Sequence, residues 1–204
     1  MDLDDVKKAG RRLLEPLVKV LARWGVNPSA VTVSGLAMSG IAAWLVWSGS
    51  YWQGAVVLFL GSILDAVDGG LARRLNRESR EGAILDSSLD RVAEMLVMAA
   101  ILAGPAGSEH RSLVYIVPAA IGGSFMVSYV RARAEGEGMD GSVGVFTRTE
   151  RLVLLILGLF VAGLLDAGSV VLVWMLLVVA IGSWLTAGQR LLRVMKVGRS
   201  SRLE

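Results

Sequence analysis

Residues 65–90 read DAVDGGLARRLNRESREGAILDSSLD, and both ends of this stretch run into long apolar sequence. Asp65 and Asp68 close the apolar run Trp52–Ala72, while Asp86 and Asp90 open the run Ala83–Ala103. Spacings of i, i+3 and i, i+4 place each pair of carboxylates on one helix face. The turn between them is short and holds Arg73, Arg74, Arg77 and Arg80, so the two helices are antiparallel neighbours whose acidic faces can converge. Four uncompensated carboxylates at the edge of a hydrocarbon layer repel one another and are costly to desolvate. Something cationic must compensate them.

Outward from this stretch, apolar segments recur at Val31–Gly49, Trp52–Ala72, Ala83–Ala103, Leu113–Val130, Leu152–Leu165 and Ser169–Ala187. Several approach the roughly 20 residues that a membrane helix needs; the fifth is short, and its helix is expected to start before Arg151. With 54% hydrophobic and 19% charged residues, the latter clustered, the chain is neither a soluble globular enzyme nor a disordered segment. The sequence therefore predicts an all-α integral membrane protein of six transmembrane helices, preceded by an N-terminal amphipathic interfacial helix. The expected organisation is a single membrane domain over 1–204, with the interfacial helix at 2–24, the bundle at 31–187 and a tail at 188–204. Val6, Leu13, Leu14, Leu17, Val18, Leu21 and Trp24 recur at helical spacing with Lys and Arg opposite them, and Asn27-Pro28-Ser29 then turns the chain into the first span.

Lys and Arg set the orientation. They collect before the first span (Lys7 to Arg23), between the second and third, between the fourth and fifth (Arg131, Arg133, Arg148, Arg151) and after the sixth (Arg190, Arg193, Lys196, Arg199, Arg202). The opposite face shows Arg111 alone. Both termini and the aspartates are thus expected on the cytoplasmic side of the cell (plasma) membrane, with membrane lipids as partners and no nucleic acid.

The absence of Cys and the presence of a single His, His110 in a polar loop, exclude thiolate sites, a Ser-His-Asp triad and an HExxH zinc site. A general base must be a carboxylate, Lys or Tyr. Hard oxygen ligands favour Mg²⁺, Mn²⁺ or Ca²⁺, and four carboxylates are enough for two ions, an arrangement suited to phosphoryl chemistry. Two other uses of the aspartates are open. One is a salt-bridge network with Arg73, Arg74, Arg77 and Arg91; the other is the pathway of a divalent-cation transporter. Transport predicts acidic groups near mid-membrane, whereas these cluster at one face.

Gly69 and Gly70 follow Asp68, and Gly82 precedes Asp86, so a ligand can approach the backbone closely there. The whole pattern, Asp65-x2-Asp68-Gly69-x2-Ala72-Arg73-x8-Gly82-x3-Asp86-x3-Asp90, resembles the signature of the CDP-alcohol phosphotransferases at every fixed position. The resemblance implies transfer of a substituted phosphate from a CDP-linked lipid, CDP-diacylglycerol or an ether-lipid analogue, to a small alcohol with release of CMP. By position it makes Asp65, Asp68 and Asp86 metal ligands, and Asp90 both the completing ligand of a second Mg²⁺ or Mn²⁺ ion and the general base. It gives Gly69, Ala72 and Gly82 the cytidine pocket, and Arg73 the donor diphosphate. It also implies a homodimer.

A second polar cluster bears on the acceptor. Ser128 and Arg131 end the fourth span, Arg148 and Arg151 open the fifth, and Arg190 follows the sixth, all at the level of the aspartates. Folded together, the arginines would bind a dianionic phosphate. The pattern resembles the subgroup that uses inositol 1-phosphate, the phosphatidylinositol phosphate and archaetidylinositol phosphate synthases. A departure is Arg131, where that subgroup carries Lys. Glycerol 3-phosphate, as for a phosphatidylglycerophosphate synthase, is the alternative acceptor. Arginines at cytoplasmic helix ends also follow from membrane orientation alone.

Overall fold

The fold is known from a computed structural model in which residues 14–165 and 168–200 are described, with side chains to residue 196. Residues 2–13 of the expected interfacial helix, and residues 201–204 and the Arg199 side chain of the expected tail, lie outside this description. Among the described residues the chain is helical throughout, with no strand. In chain order the helices are α1 (described over 14–23), α2 (Pro28–Trp47), α3 (Tyr51–Arg74), α4 (Arg80–Ala103), α5 (Pro105–Glu109), α6 (Leu113–Gly136), α7 (Arg148–Ala162) and α8 (Gly168–Ser200).

Local chemistry accounts for the helix starts. Asn27 caps α2, its Oδ1 accepting from the Ser29 N–H at 3.1 Å, with Pro28 in the first turn where no backbone donor is needed. Ser79 caps α4, its Oγ accepting from the Gly82 N–H at 3.0 Å. At the start of α7 the Thr147 N–H donates to Glu150 Oε2 at 2.7 Å, half of a capping box. The turn into α4 passes through Asn76 at φ 53°, a left-handed conformation that Asn tolerates better than most residues.

α2 packs on α3 and α4, α3 on α7, and α6 and α7 on α8. Small residues permit the close α2–α3 approach. A Cβ built on Gly54 would stand 2.7 Å from Val46 Cγ2 and 3.2 Å from the Ala42 carbonyl oxygen, and one on Gly61 would stand 3.2 Å from Met38 Cβ. The core is apolar and continuous across the helices, with Val46, Val97, Ile101, Leu113, Leu155, Leu159, Leu172 and Leu176 fully buried. Large apolar side chains such as Trp44, Trp174 and Leu185 remain on the outside, as lipid-facing surfaces require.

Six spans were expected; among the described residues four helices, α2, α3, α6 and most of α8, are long and apolar enough to cross a membrane. α4 has their length but carries Arg80, Glu81, Asp86, Asp90, Arg91 and Glu94, and α7 has only 15 residues. The chain is a membrane-embedded helical bundle. α1 lies against the basic end of α3: Val18 is buried, and a Cβ on Gly70 would stand 3.1 Å from Val18 Cγ2. The glycine after Gly69 thus makes room for the preceding helix.

Candidate active site

The last turns of α3 and the first turns of α4 meet as their sequence spacing predicts. One carboxylate oxygen each from Asp65, Asp68 and Asp86 lie within 4.8 Å of one another. At that separation and an effective dielectric constant of about 20, each pair of negative charges repels by roughly 3–4 kcal/mol. Helix packing holds them together against this force. Asp68 is buried and its Oδ2 accepts from Thr32 Oγ1 at 2.6 Å, so α2 supplies the wall behind it. Asp86 Oδ1 is buried with no hydrogen-bond partner. A buried acceptor without a donor is costly, and a hard divalent cation is the ligand this all-oxygen set fits.

Asp90 lies one helical turn deeper on α4, and Arg148 at the start of α7 joins it to the cluster. Arg148 Nη1 lies 2.9 Å from Asp65 Oδ2 and Nη2 lies 2.5 Å from Asp90 Oδ1. Four carboxylates face one guanidinium here, so three formal negative charges remain to be balanced. Of the two uses of the aspartates that the sequence left open, the salt-bridge network is not formed by the arginines expected. Among the described residues neither Arg73, Arg74, Arg77 nor Arg91 makes an ion pair with them; Arg91 donates instead to the Ser87 carbonyl.

Beside the cluster, a cleft opens between the start of α2 and the α3–α4 turn. Gly69, Ala72, Arg73 and Gly82 all line it, together with Asp68 and Asp86. The four positions read as CDP-lipid contacts therefore share one cavity with two of the carboxylates. A Cβ built on Gly69 would stand 3.7 Å from the Arg73 guanidinium, an ordinary contact, so Arg73 lies beside the glycine in the cleft.

The five positions read as an acceptor site are not gathered as simply. Ser128 is half-buried near the end of α6, and Arg131 pairs with Glu135 on the surface of that helix at 2.7 Å. Arg148 serves the aspartates. Arg151 is 1% exposed and clamped by Glu94, which accepts from Nε at 2.6 Å and from Nη2 at 3.1 Å. Arg190, 2% exposed, donates to the Val143 and Val127 carbonyls, both at 2.6 Å, and so ties α8 to α6 and to the loop before α7. Arg131 and Arg151 are nonetheless near enough to repel the Arg190 charge.

Sequence reasoning passed over Thr32 and Glu94. Thr32 leaves no signal, because its role depends on α2 crossing α3. Glu94 was legible: it follows Asp90 by four residues inside an apolar run, where an acidic residue needs a reason.

The model of the CDP-alcohol phosphatidyltransferase family matches residues 26–194. The chain belongs to that family. Among the relatives of this CDP-alcohol phosphatidyltransferase is the phosphatidylinositol phosphate synthase of Mycolicibacterium smegmatis, 36% identical over 88% of this chain and 82% of the relative. The archaetidylinositol phosphate synthase of Pyrococcus horikoshii is 30% identical over 95% of this chain and 97% of its own length. The fold is similar to the crystal structure of Mycobacterium tuberculosis phosphatidylinositol phosphate synthase with CDP-DAG bound, with TM-score 0.80, 32% identity and coverage of 90% and 94% of the two chains. That synthase has also been solved in complex with manganese and citrate, at TM-score 0.78 and 31% identity, with 88% of each chain covered. The present phosphatidyltransferase is therefore an enzyme, a transferase, which decides against the transporter alternative. Its cluster of Asp65, Asp68 and Asp86 could hold a metal ion.

Proposed function

We propose that this enzyme transfers the phosphatidyl, or archaetidyl, group of a CDP-linked lipid to inositol 1-phosphate and releases CMP, as a step of phospholipid biosynthesis. The observation that carries the reading is the shared cavity, in which the motif glycines, Arg73 and two metal-type carboxylates face one space. The relatives named above support the acceptor, as does the buried, unpartnered Nη1 of Arg151. Asp65, Asp68 and Asp86 hold divalent metal, with Asp90 completing a second site. Bound Mg²⁺ or Mn²⁺ supplies charge neutralisation to the diphosphate and to the leaving CMP.

The protein residues do the rest. Gly69, Ala72 and Gly82 let the cytidine lie close to the backbone, and Arg73 binds the diphosphate. Arg148 keeps the Asp90 carboxylate in place, 2.5 Å from its own Nη2. Asp90 takes the proton from the acceptor hydroxyl as that oxygen attacks the β-phosphorus. A new P–O bond to the alcohol forms, the P–O bond to CMP breaks, and CMP carries the bonding pair away. Ser128, Arg131, Arg151 and Arg190 hold the acceptor phosphate.

The donor's lipid chains stay in the bilayer while the nucleotide enters from the cytoplasm, which requires the aspartate end of the bundle to face inward in the cell membrane. In this reading α4 and α7 cross the bilayer with the four apolar helices, giving six spans, and α1 lies in the headgroup layer. The active molecule is a homodimer.

The test is CMP release from a CDP-lipid with Mn²⁺ or Mg²⁺, with inositol 1-phosphate, glycerol 3-phosphate, serine and free inositol compared in parallel. Release with inositol 1-phosphate alone is expected. Release with glycerol 3-phosphate alone would keep the reaction and overturn the acceptor.

A further inference from the structure

Glu94 takes no part in the metal cluster or the nucleotide cleft, yet it is a buried carboxylate in the helical column of Asp86 and Asp90. Its Oε1 and Oε2 accept from the Nε and Nη2 of Arg151, and Oε1 accepts a further bond from Ser124 Oγ on α6 at 3.2 Å. This parallel pairing fixes the plane of the guanidinium as well as its position. It uses one edge of the fork. The remaining nitrogen, Nη1, is buried and has no partner. A buried N–H donor without an acceptor is rare in folded proteins and points to a ligand. An N–H of a cationic guanidinium takes an anionic oxygen most strongly, so the unmatched ligand is an anion.

We infer that Glu94, supported by Ser124, is a positioning residue for the acceptor: it clamps one edge of Arg151 and leaves Nη1 as the donor for the acceptor's phosphate group. This rests on the acceptor reading given above. The same arrangement ties α7 to α4 at two levels, Asp90 to Arg148 and Glu94 to Arg151, so the base and the phosphate anchor are set by one pair of helices. Arg at this position is then not exchangeable for Lys, whose ammonium cannot be clamped on one edge and donate from the other.

The experiment measures KM for inositol 1-phosphate and for the CDP-lipid, together with kcat, in Glu94→Gln, Arg151→Gln and the double variant. Loss of one charge-assisted hydrogen bond at the acceptor predicts a rise of about tenfold in acceptor KM for Glu94→Gln. The CDP-lipid KM is expected to stay within about twofold of wild type, because no nucleotide contact is altered. If Glu94 acts through Arg151, Glu94→Gln adds nothing further in the Arg151→Gln background. An unchanged acceptor KM for Glu94→Gln beside a raised one for Arg151→Gln overturns this inference and leaves the acceptor site standing. An unchanged acceptor KM for Arg151→Gln overturns the acceptor site itself and this inference with it. Equal rises in both KM values mark a merely structural role and also overturn it. Should Glu94→Gln not accumulate as folded protein, Ser124→Ala decides: a rise confined to acceptor KM supports the inference, and wild-type values for both substrates overturn it.

Discussion

Arg148 contacts two aspartates at once, 2.9 Å from Asp65 and 2.5 Å from Asp90, and is the cation that the structure places among four carboxylates. Removing its charge leaves repelling groups at a buried site, which destabilises by more than a surface ion pair ever contributes. Arg148→Gln is expected to lower the melting temperature by about 5 °C or more in chelator, and Mn²⁺ should recover more of the loss than it adds to wild type. Equal melting temperatures in chelator would remove this role. At Asp90 the effect is chemical. Asp90→Asn keeps the shape of the side chain but cannot take a proton, so kcat is expected to fall about 10²–10⁴-fold, with CDP-lipid affinity retained in a binding assay. The convergence of the aspartates was legible in the sequence because it follows from spacing on two adjacent helices. The partners of the arginines were not: Arg151 and Arg190 read as acceptor-phosphate ligands at helix ends, and no spacing foretold that they are 1% and 2% exposed, paired with Glu94 and with backbone carbonyls.

At the scale of elements, the helices meet through glycine, and the contacts differ in tolerance. Gly163, just past the end of α7, packs against the start of α3, and a Cβ there would stand 2.4 Å from the Trp52 backbone nitrogen. Backbone cannot rotate away, so Gly163→Ala is expected to destabilise by about 1–3 kcal/mol, as overpacking does. Gly40 lies mid-way along α2 with nothing within 4 Å of a Cβ. Gly40→Ala is therefore expected to leave thermal stability unchanged or to raise it by about 0.5–1 kcal/mol through helix propensity. A thermal-shift comparison of the two variants checks both, and similar losses would show that the α3–α7 contact is not specific. Sequence alone does not tell the two glycines apart, because composition reports how many small residues there are and not which of them face a neighbour. The same limit applies to α4 and α7. The sequence counted both among six spans, whereas neither meets the length and hydropathy of the other four. The charged column of α4 finds its partners only in the fold, Asp90 with Arg148 and Glu94 with Arg151.

For the whole molecule, orientation is the open quantity, and the chain is convenient for measuring it because it contains no cysteine. Single cysteines at the exposed positions Ser108, on α5, and Asp140, in the loop before α7, report opposite ends of the bundle. A membrane-impermeant maleimide is expected to label Ser108→Cys in intact cells and Asp140→Cys only after permeabilisation. The reverse result would invert the topology and place nucleotide entry on the wrong side of the membrane for CTP-derived substrates.

By itself the sequence determined the helical membrane class and the four aspartates with their glycines. Both are local properties, carried by hydropathy over about 20 residues and by side chains three and four apart on one helix. Only the tertiary structure decided the partners of the long cations: Arg148 with Asp65 and Asp90, Arg151 with Glu94, and Arg190 with the backbone of α6 and of the following loop. A guanidinium on a flexible stem reaches across a helix interface, so its partner is chosen by which helices pack together, and no spacing along the chain encodes that choice.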